Sequence, residues 1–224
     1  MKFFKFGIIG FIILNYTALG CAKAPSQFSG TSPQSLSKFD QELFARATLH
    51  QQKGQIDSAI VLWNKFLQRN PSSFEVRNNL GLLYYANDEI VKAIYHYDQG
   101  LKLRPREGQL KMNLVRALKV QSAILEENRE YDEAIMGLSR IVQLSPAKEQ
   151  EAIERQIEAL EDQIFQQVKK SDSMGEYQEF LKIYPRSPGN SDEARLWIEN
   201  KLKAKKMGNQ GSLSSDFQPS LATE

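Results

Sequence analysis

The chain has 224 residues, 41% of them apolar and 25% charged, which suits one domain of ordinary size around a buried core. Two of its 29 basic residues, Lys2 and Lys5, lie in an acid-free leading segment; without them 27 cations face 27 acids, and so even a balance excludes a general phosphate-binding surface and a nucleic-acid partner. One cysteine excludes an internal disulfide framework, and two histidines, His50 and His96, leave little material for a metal centre.

Residues 1–20 read as an export signal. Lys2 and Lys5 supply its positive start, Phe6 to Leu14 its apolar run, and Asn15, Tyr16 and Thr17 restore polarity before Ala18-Leu19-Gly20-Cys21. The run of nine fits a signal of about 7–15 apolar residues and falls short of the roughly 20 that a spanning helix needs. The segment ending in Cys21 resembles the lipobox of bacterial lipoproteins, with Ala18 and Leu19 in the reverse of the commonest order. That resemblance implies cleavage before Cys21 and acylation of its sulfur by palmitate or a similar chain. It also implies tethering to the cell envelope, where each buried methylene contributes about 0.8 kcal/mol. Ala22 is not the aspartate that retains such proteins at the inner membrane, which favours the outer membrane, facing the periplasm, in a Gram-negative source. An exported chain with an inert cysteine and an uncleaved anchor are the alternatives. Residues 21–36, rich in Ser, Pro, Gly and Gln, cannot repay the entropy of ordering and read as a flexible tether.

From residue 37 the pattern is helical, broken only by short Pro, Gly, Asn and Asp clusters. Pro71 and Pro105 stand 34 apart and close stretches of equal internal spacing: Gly54, Ala59 and Trp63 in one, Asp88, Ala93 and Tyr97 in the other. This period and residue set resemble the tetratricopeptide repeat. The fold expected is all-α, a solenoid of antiparallel helix pairs over 37–146 with C-terminal helices capping its open end.

The second repeat, Phe74 to Glu107, matches best, through Leu80, Gly81, Tyr84, Ala93, Tyr97, Gly100 and Pro105, with Arg77 where a large apolar residue is usual. Gly81 and Ala93 let two helices approach, Tyr84 and Tyr97 fill the wedge, and Ser72 with Glu75 predicts a capping box. The first repeat, Asp40 to Ser73, keeps Leu43, Ala47, His50, Ala59, Trp63 and Pro71, while Arg46 and Phe66 depart from the pattern. The third runs from Gly108 to Pro146 and is seven residues longer, with Leu114, Leu118, Ala134, Leu138 and Ile141 in phase. Seven residues is nearly two helical turns, so its first helix can lengthen and still face the core.

Past Ser145, expected to cap the next helix with Pro146 at its first position, the 34-residue register is lost. The C-terminal region 147–206 opens with Ile153, Ile157, Leu160, Ile164 and Val168 as one apolar stripe on a helix of Glu and Gln. Shorter helices are expected near 174–184 and 190–206, the latter capped by Asn190 with Glu193. The segment Glu176 to Ala194 is similar to tetratricopeptide-like stretches of envelope lipoproteins. Residues 207–224 read as a disordered tail.

No enzyme motif occurs, so neither catalysis nor a cofactor is expected. By the resemblance, the first helix of each pair lines a concave peptide-binding groove. Position by position that gives Phe44, Thr48 and Gln51; Asn78, Asn79, Leu82 and Tyr85; and Gln109, Met112, Asn113, Arg116 and Lys119. Only Asn79 matches the set with which chaperone-tail binders clamp a terminal carboxylate, so that clamp is not expected. The function expected is a membrane-anchored scaffold for envelope proteins or peptides in assembly or remodelling. Alternatives are a homo-oligomer pairing through the 153–168 stripe, an accessory subunit of an envelope hydrolase, or a groove filled by the C-terminal helices.

Overall fold

The computed structural model describes residues 36–213, with side chains as far as Met207. The expected signal segment, Cys21, all of the tether before Leu36 and the chain beyond Leu213 lie outside the described residues. Among the described residues nine helices follow one another: α1 Lys38–Gln52, α2 Ile56–Arg69, α3 Phe74–Ala86, α4 Ile90–Leu103, α5 Gly108–Glu127, α6 Tyr131–Leu144, α7 Ala147–Ser171, α8 Met174–Ile183 and α9 Asn190–Leu213. They pack in sequence order as helix pairs, so the chain is an all-α solenoid of tetratricopeptide type. Helix α9 continues to Leu213, into the stretch expected to be tail.

Each of the first three pairs turns back through the same device. The turn residues Gly54, Asp88 and Arg129 all have positive φ, at 69°, 59° and 64°. In each turn the next amide reaches back to a carbonyl of the last helical turn: Gln55 to His50, Glu89 to Tyr84 and Glu130 to Leu125. The left-handed residue's own amide reaches Gln51, Tyr85 and Glu126 respectively, completing the paired bonds of a Schellman ending. Only the first turn uses glycine, so Asp88 and Arg129 bear strain that side chains pay in that region.

Within a pair the helices touch because one of them lacks a side chain. A Cβ on Gly81 would lie under 3.0 Å from the Tyr97 ring, and Tyr97 is fully buried. In the third pair the roles exchange: Gly137 of α6 admits Ser122 of α5, whose buried hydroxyl has no partner among the described residues. Helix α5 has 20 residues against 13 for α3, the seven-residue lengthening that the spacing predicts.

Three caps differ from expectation. Ser73, not Ser72, caps α3: its hydroxyl accepts from the Val76 amide and donates to Glu75, because Phe74 is already helical and buried. Pro146, rather than Ser145, precedes α7, and the Gln150 amide clasps the junction by donating to the Val142 and Ser145 carbonyls. Asn190 turns its amide toward Asp162 and Ser187, binding α9 to α7 instead of closing its own helix.

Although the sequence period is lost after Ser145, the turns continue. Asp172 stands at positive φ between α7 and α8, and Tyr184-Pro185 ends α8 as Asn70-Pro71 ends α2 and Arg104-Pro105 ends α4. Thus α7 and α8 form a fourth, unequal pair and α9 closes the stack. The 153–168 stripe is spent inside it. Ile153, Leu160, Phe165 and Val168 are buried, and Ile157 and Ile164 pack on the same cluster. The stripe therefore faces this chain's own core. Tyr184, buried at the end of α8, donates to Asp132 of α6 and ties the fourth pair to the third.

Two apolar clusters form the interior. The smaller joins Leu43, Ala47, Ala59, Trp63, Phe66, Val76, Leu80 and Leu83; the larger runs from Phe74 to Ala194, and Tyr84 packs against both. Phe66, the departure from the repeat pattern, is wholly buried, edge-on to Phe44 and Trp63.

Candidate peptide-binding face

Of the alternate helices, α3 and α5 are the pair in most extensive contact. Side chains at equivalent places on those helices therefore share one face. The pairing is sealed by amides. Asn113 is almost fully buried; its Nδ2 donates to Asn78 Oδ1 at 2.8 Å, and its Oδ1 accepts from Gln109 Nε2 at 3.1 Å. A buried primary amide with both ends satisfied fixes the register of two helices, because a slip would orphan donor and acceptor together. On the opposite side, Arg140 of α6 grips Asp98 of α4 with two bonds, at 2.7 and 2.9 Å.

The expected lining divides by repeat. In the first, Phe44 lies edge-on to Trp63 at 4.8 Å and belongs to the interior more than to the face. Gln51 accepts from the Trp63 indole at 2.9 Å, and Thr48 donates to the Phe44 carbonyl at 2.9 Å. Phe44 and Gln51 thus hold α1 to its partner, while the Thr48 bond stays within α1. In the second, Asn79, Leu82 and Tyr85 are half-buried beside Asn78. In the third, Met112, Arg116 and Lys119 are exposed at spacings of four and three, one stripe along α5, while Asn113 is buried beneath them. The structure thus joins the second- and third-repeat residues through Asn78 and Asn113, and turns Phe44 and Gln51 of the first repeat toward Trp63. Packing in sequence order, the C-terminal helices extend the stack, and they leave this α5 stripe exposed.

Sequence reasoning gave Glu75 to a capping box and not to this face, although it stands 34 residues before Gln109 in the same row. Its carboxylate is drawn to Ser73 at the start of α3. Also passed over was a row on the outer side: Val61, Tyr95 and Met136 occupy one repeat position on α2, α4 and α6, and each is more than half exposed. Spacings of 34 and 41 would have revealed it.

His96 is buried between α3 and α4, stacked on Tyr84 at 5.2 Å with its Nδ1 unpartnered among the described residues. Burial, with the Arg77 charge adding to it, depresses its pKa to about 4, so the ring is neutral at physiological pH. Burial also raises the Tyr97 phenol, with the Arg116 charge opposing it and Tyr85 adding to it. Asp40 is held below the carboxylate range by its bonds from Arg69 and Ser37, a tie that locks the open end of the first pair. Among the described residues no group of His, Cys, Asp and Glu is arranged to hold a metal, and no helix is long and apolar enough to cross a membrane.

Neither a family model nor a curated protein matches the chain. Solved structures do. A crystal structure of MamA protein is 18% identical over 84% of this chain and 100% of its own, with a TM-score of 0.41. The type III secretion translocator chaperone SycD of Yersinia enterocolitica is 18% identical over 62% of this chain and 92% of its own, at 0.37. The TPR domain of P58(IPK) is 13% identical over 71% of this chain and 45% of its own, at 0.43. At such scores the likeness carries no argument, and the repeat architecture stands on the turns and helix pairing within this chain.

Proposed function

We propose that the chain is a non-catalytic scaffold that holds protein partners, as extended or helical peptides, against the α3–α5 face. One observation carries this reading: the amide-locked seam presents Leu82, Tyr85 and Met112 beside two cations on a preformed helical surface. Rigid repeats of this kind bind by offering shape and anchors already in place, which spares the partner much of the ordering cost. The lipobox-like segment ending at Cys21 supports a role at the membrane surface, with the stack held in the periplasm by a lipid tether and its partners drawn from envelope assembly or remodelling.

Site-specific photo-crosslinking in cells tests the face directly. A crosslinker in place of Leu82 captures discrete partners; one in place of Val61, on the outer side, does not capture the same set. Identical products from both positions would remove the face from the reading. Cys21→Ser tests the tether separately: the protein shifts from the membrane fraction to the soluble one, and continued sedimentation with membranes counts against lipidation.

A further inference from the structure

The charges of the α3–α5 face are one-sided. Of the twelve expected lining residues, two are charged, Arg116 and Lys119, and both are cations. They stand three apart on α5, one above the other on the exposed stripe. Neither enters an ion pair among the described residues. Elsewhere on the stack Arg69, Lys92, Arg140, Lys169 and Lys201 each hold a carboxylate, while these two, like several other surface cations, keep their charge open to a partner. The row's acid, Glu75, stands at the start of α3, seven residues before Leu82, and accepts from Ser73. Beside the two cations lie apolar anchors, Met112 on the same stripe and Leu82 and Tyr85 across the seam.

We infer that the face selects acidic peptides, segments in which Asp or Glu alternates with apolar or aromatic side chains. Carboxylates would pair with Arg116 and Lys119 while the apolar side chains settle on Leu82, Tyr85 and Met112. The inference rests on the scaffold reading and narrows it to a class of partner. It differs from capture of a chain terminus, because the two cations sit on one helix, one turn apart, and so read side-chain carboxylates in an internal segment. With exposed cations the selectivity is electrostatic and weakens as salt rises.

The test uses the purified full-length protein in detergent and fluorescence anisotropy with three labelled peptides. One repeats Glu-Leu-Asp-Phe, the second is its amide counterpart Gln-Leu-Asn-Phe, and the third is the basic Lys-Leu-Lys-Phe. The acidic peptide is expected to bind about tenfold more tightly than the amide one at low salt, the sum of two exposed ion pairs. Arg116→Glu with Lys119→Glu erases that preference and gains affinity for the basic peptide, a gain that an unfolded variant could not show. Equal binding of acidic and amide peptides, or a preference that survives the double reversal, overturns the inference. Tyr85→Ala separates the two readings. If it weakens the amide peptide while no acidic preference exists, the face stands and its selectivity falls; if no peptide binds, or Tyr85→Ala changes nothing, both fall.

Discussion

Single backbone angles and single missing side chains set the spacing of this molecule. Gly81→Ala drives a methyl group into the Tyr97 ring, which has no room to retreat. It should cost about 1–3 kcal/mol, read as a lowered urea midpoint. The reverse applies at the third turn. Arg129 sits at φ 64° with its side chain exposed, so Arg129→Gly should stabilise by about 1 kcal/mol, while Gly54→Ala at the first turn should cost a similar amount. The sequence displayed Gly54 and Asp88 as equivalent turn positions, but Arg129 was hidden because arginine carries no turn signal. The sequence left His96 as a surface or packing residue and could not show that it titrates low, since that depends on its burial against Tyr84 near the Arg77 charge. Its pKa in the fold, about 4, lies below the ordinary 6.5, so the unfolded chain takes up the proton first. The stability that neutral His96 permits is complete above pH 6.5 and drains away as pH falls toward 4. Between pH 7 and 5 the loss should reach up to about 2 kcal/mol in the native protein and be absent from His96→Phe, measured by urea unfolding at both values.

Helices here begin and end where local chemistry allows, and the repeat pattern alone misplaces those limits by a residue. Ser73→Ala should destabilise by about 1 kcal/mol, whereas Ser72→Ala, on an exposed residue outside the cap, should leave the urea midpoint unchanged. Two serines in tandem before Phe74 gave the sequence no means to choose between them; burial of Phe74 chooses. The lengthened α5 was legible because proline spacing exceeds the period by two turns. The fourth pair was not, since α7 and α8 have 25 and 10 residues, so that no repeated spacing marks them. Of the face, the α3 and α5 residues were found from repeat position, yet position could not say that Asn113 is buried as a lock, or that Gln51 serves Trp63. Both depend on which neighbour a side chain meets.

As a whole the stack must hide a hydrophobic surface at each end, and the C-terminal helices do so for α6. Ending the chain after Ser145 would bare Ile135, Leu138 and Ile141, all buried in the larger cluster. Such a chain should associate or precipitate, seen as a shift to the void volume in gel filtration with helical circular dichroism retained. Because the α7 stripe is occupied from within, light scattering should find the full chain monomeric at tens of micromolar; a stable dimer abolished by Leu160→Asp would reverse that view. The interior is also unequal along its length, a small cluster under the first pair and a large one under the rest, joined at Tyr84. In mechanical terms this is a weak link placed at one end. A pull entering through the N-terminus would peel α1 and α2 away first, and the segment carrying Leu82, Tyr85 and Arg116 would keep its grip while slack paid out behind it.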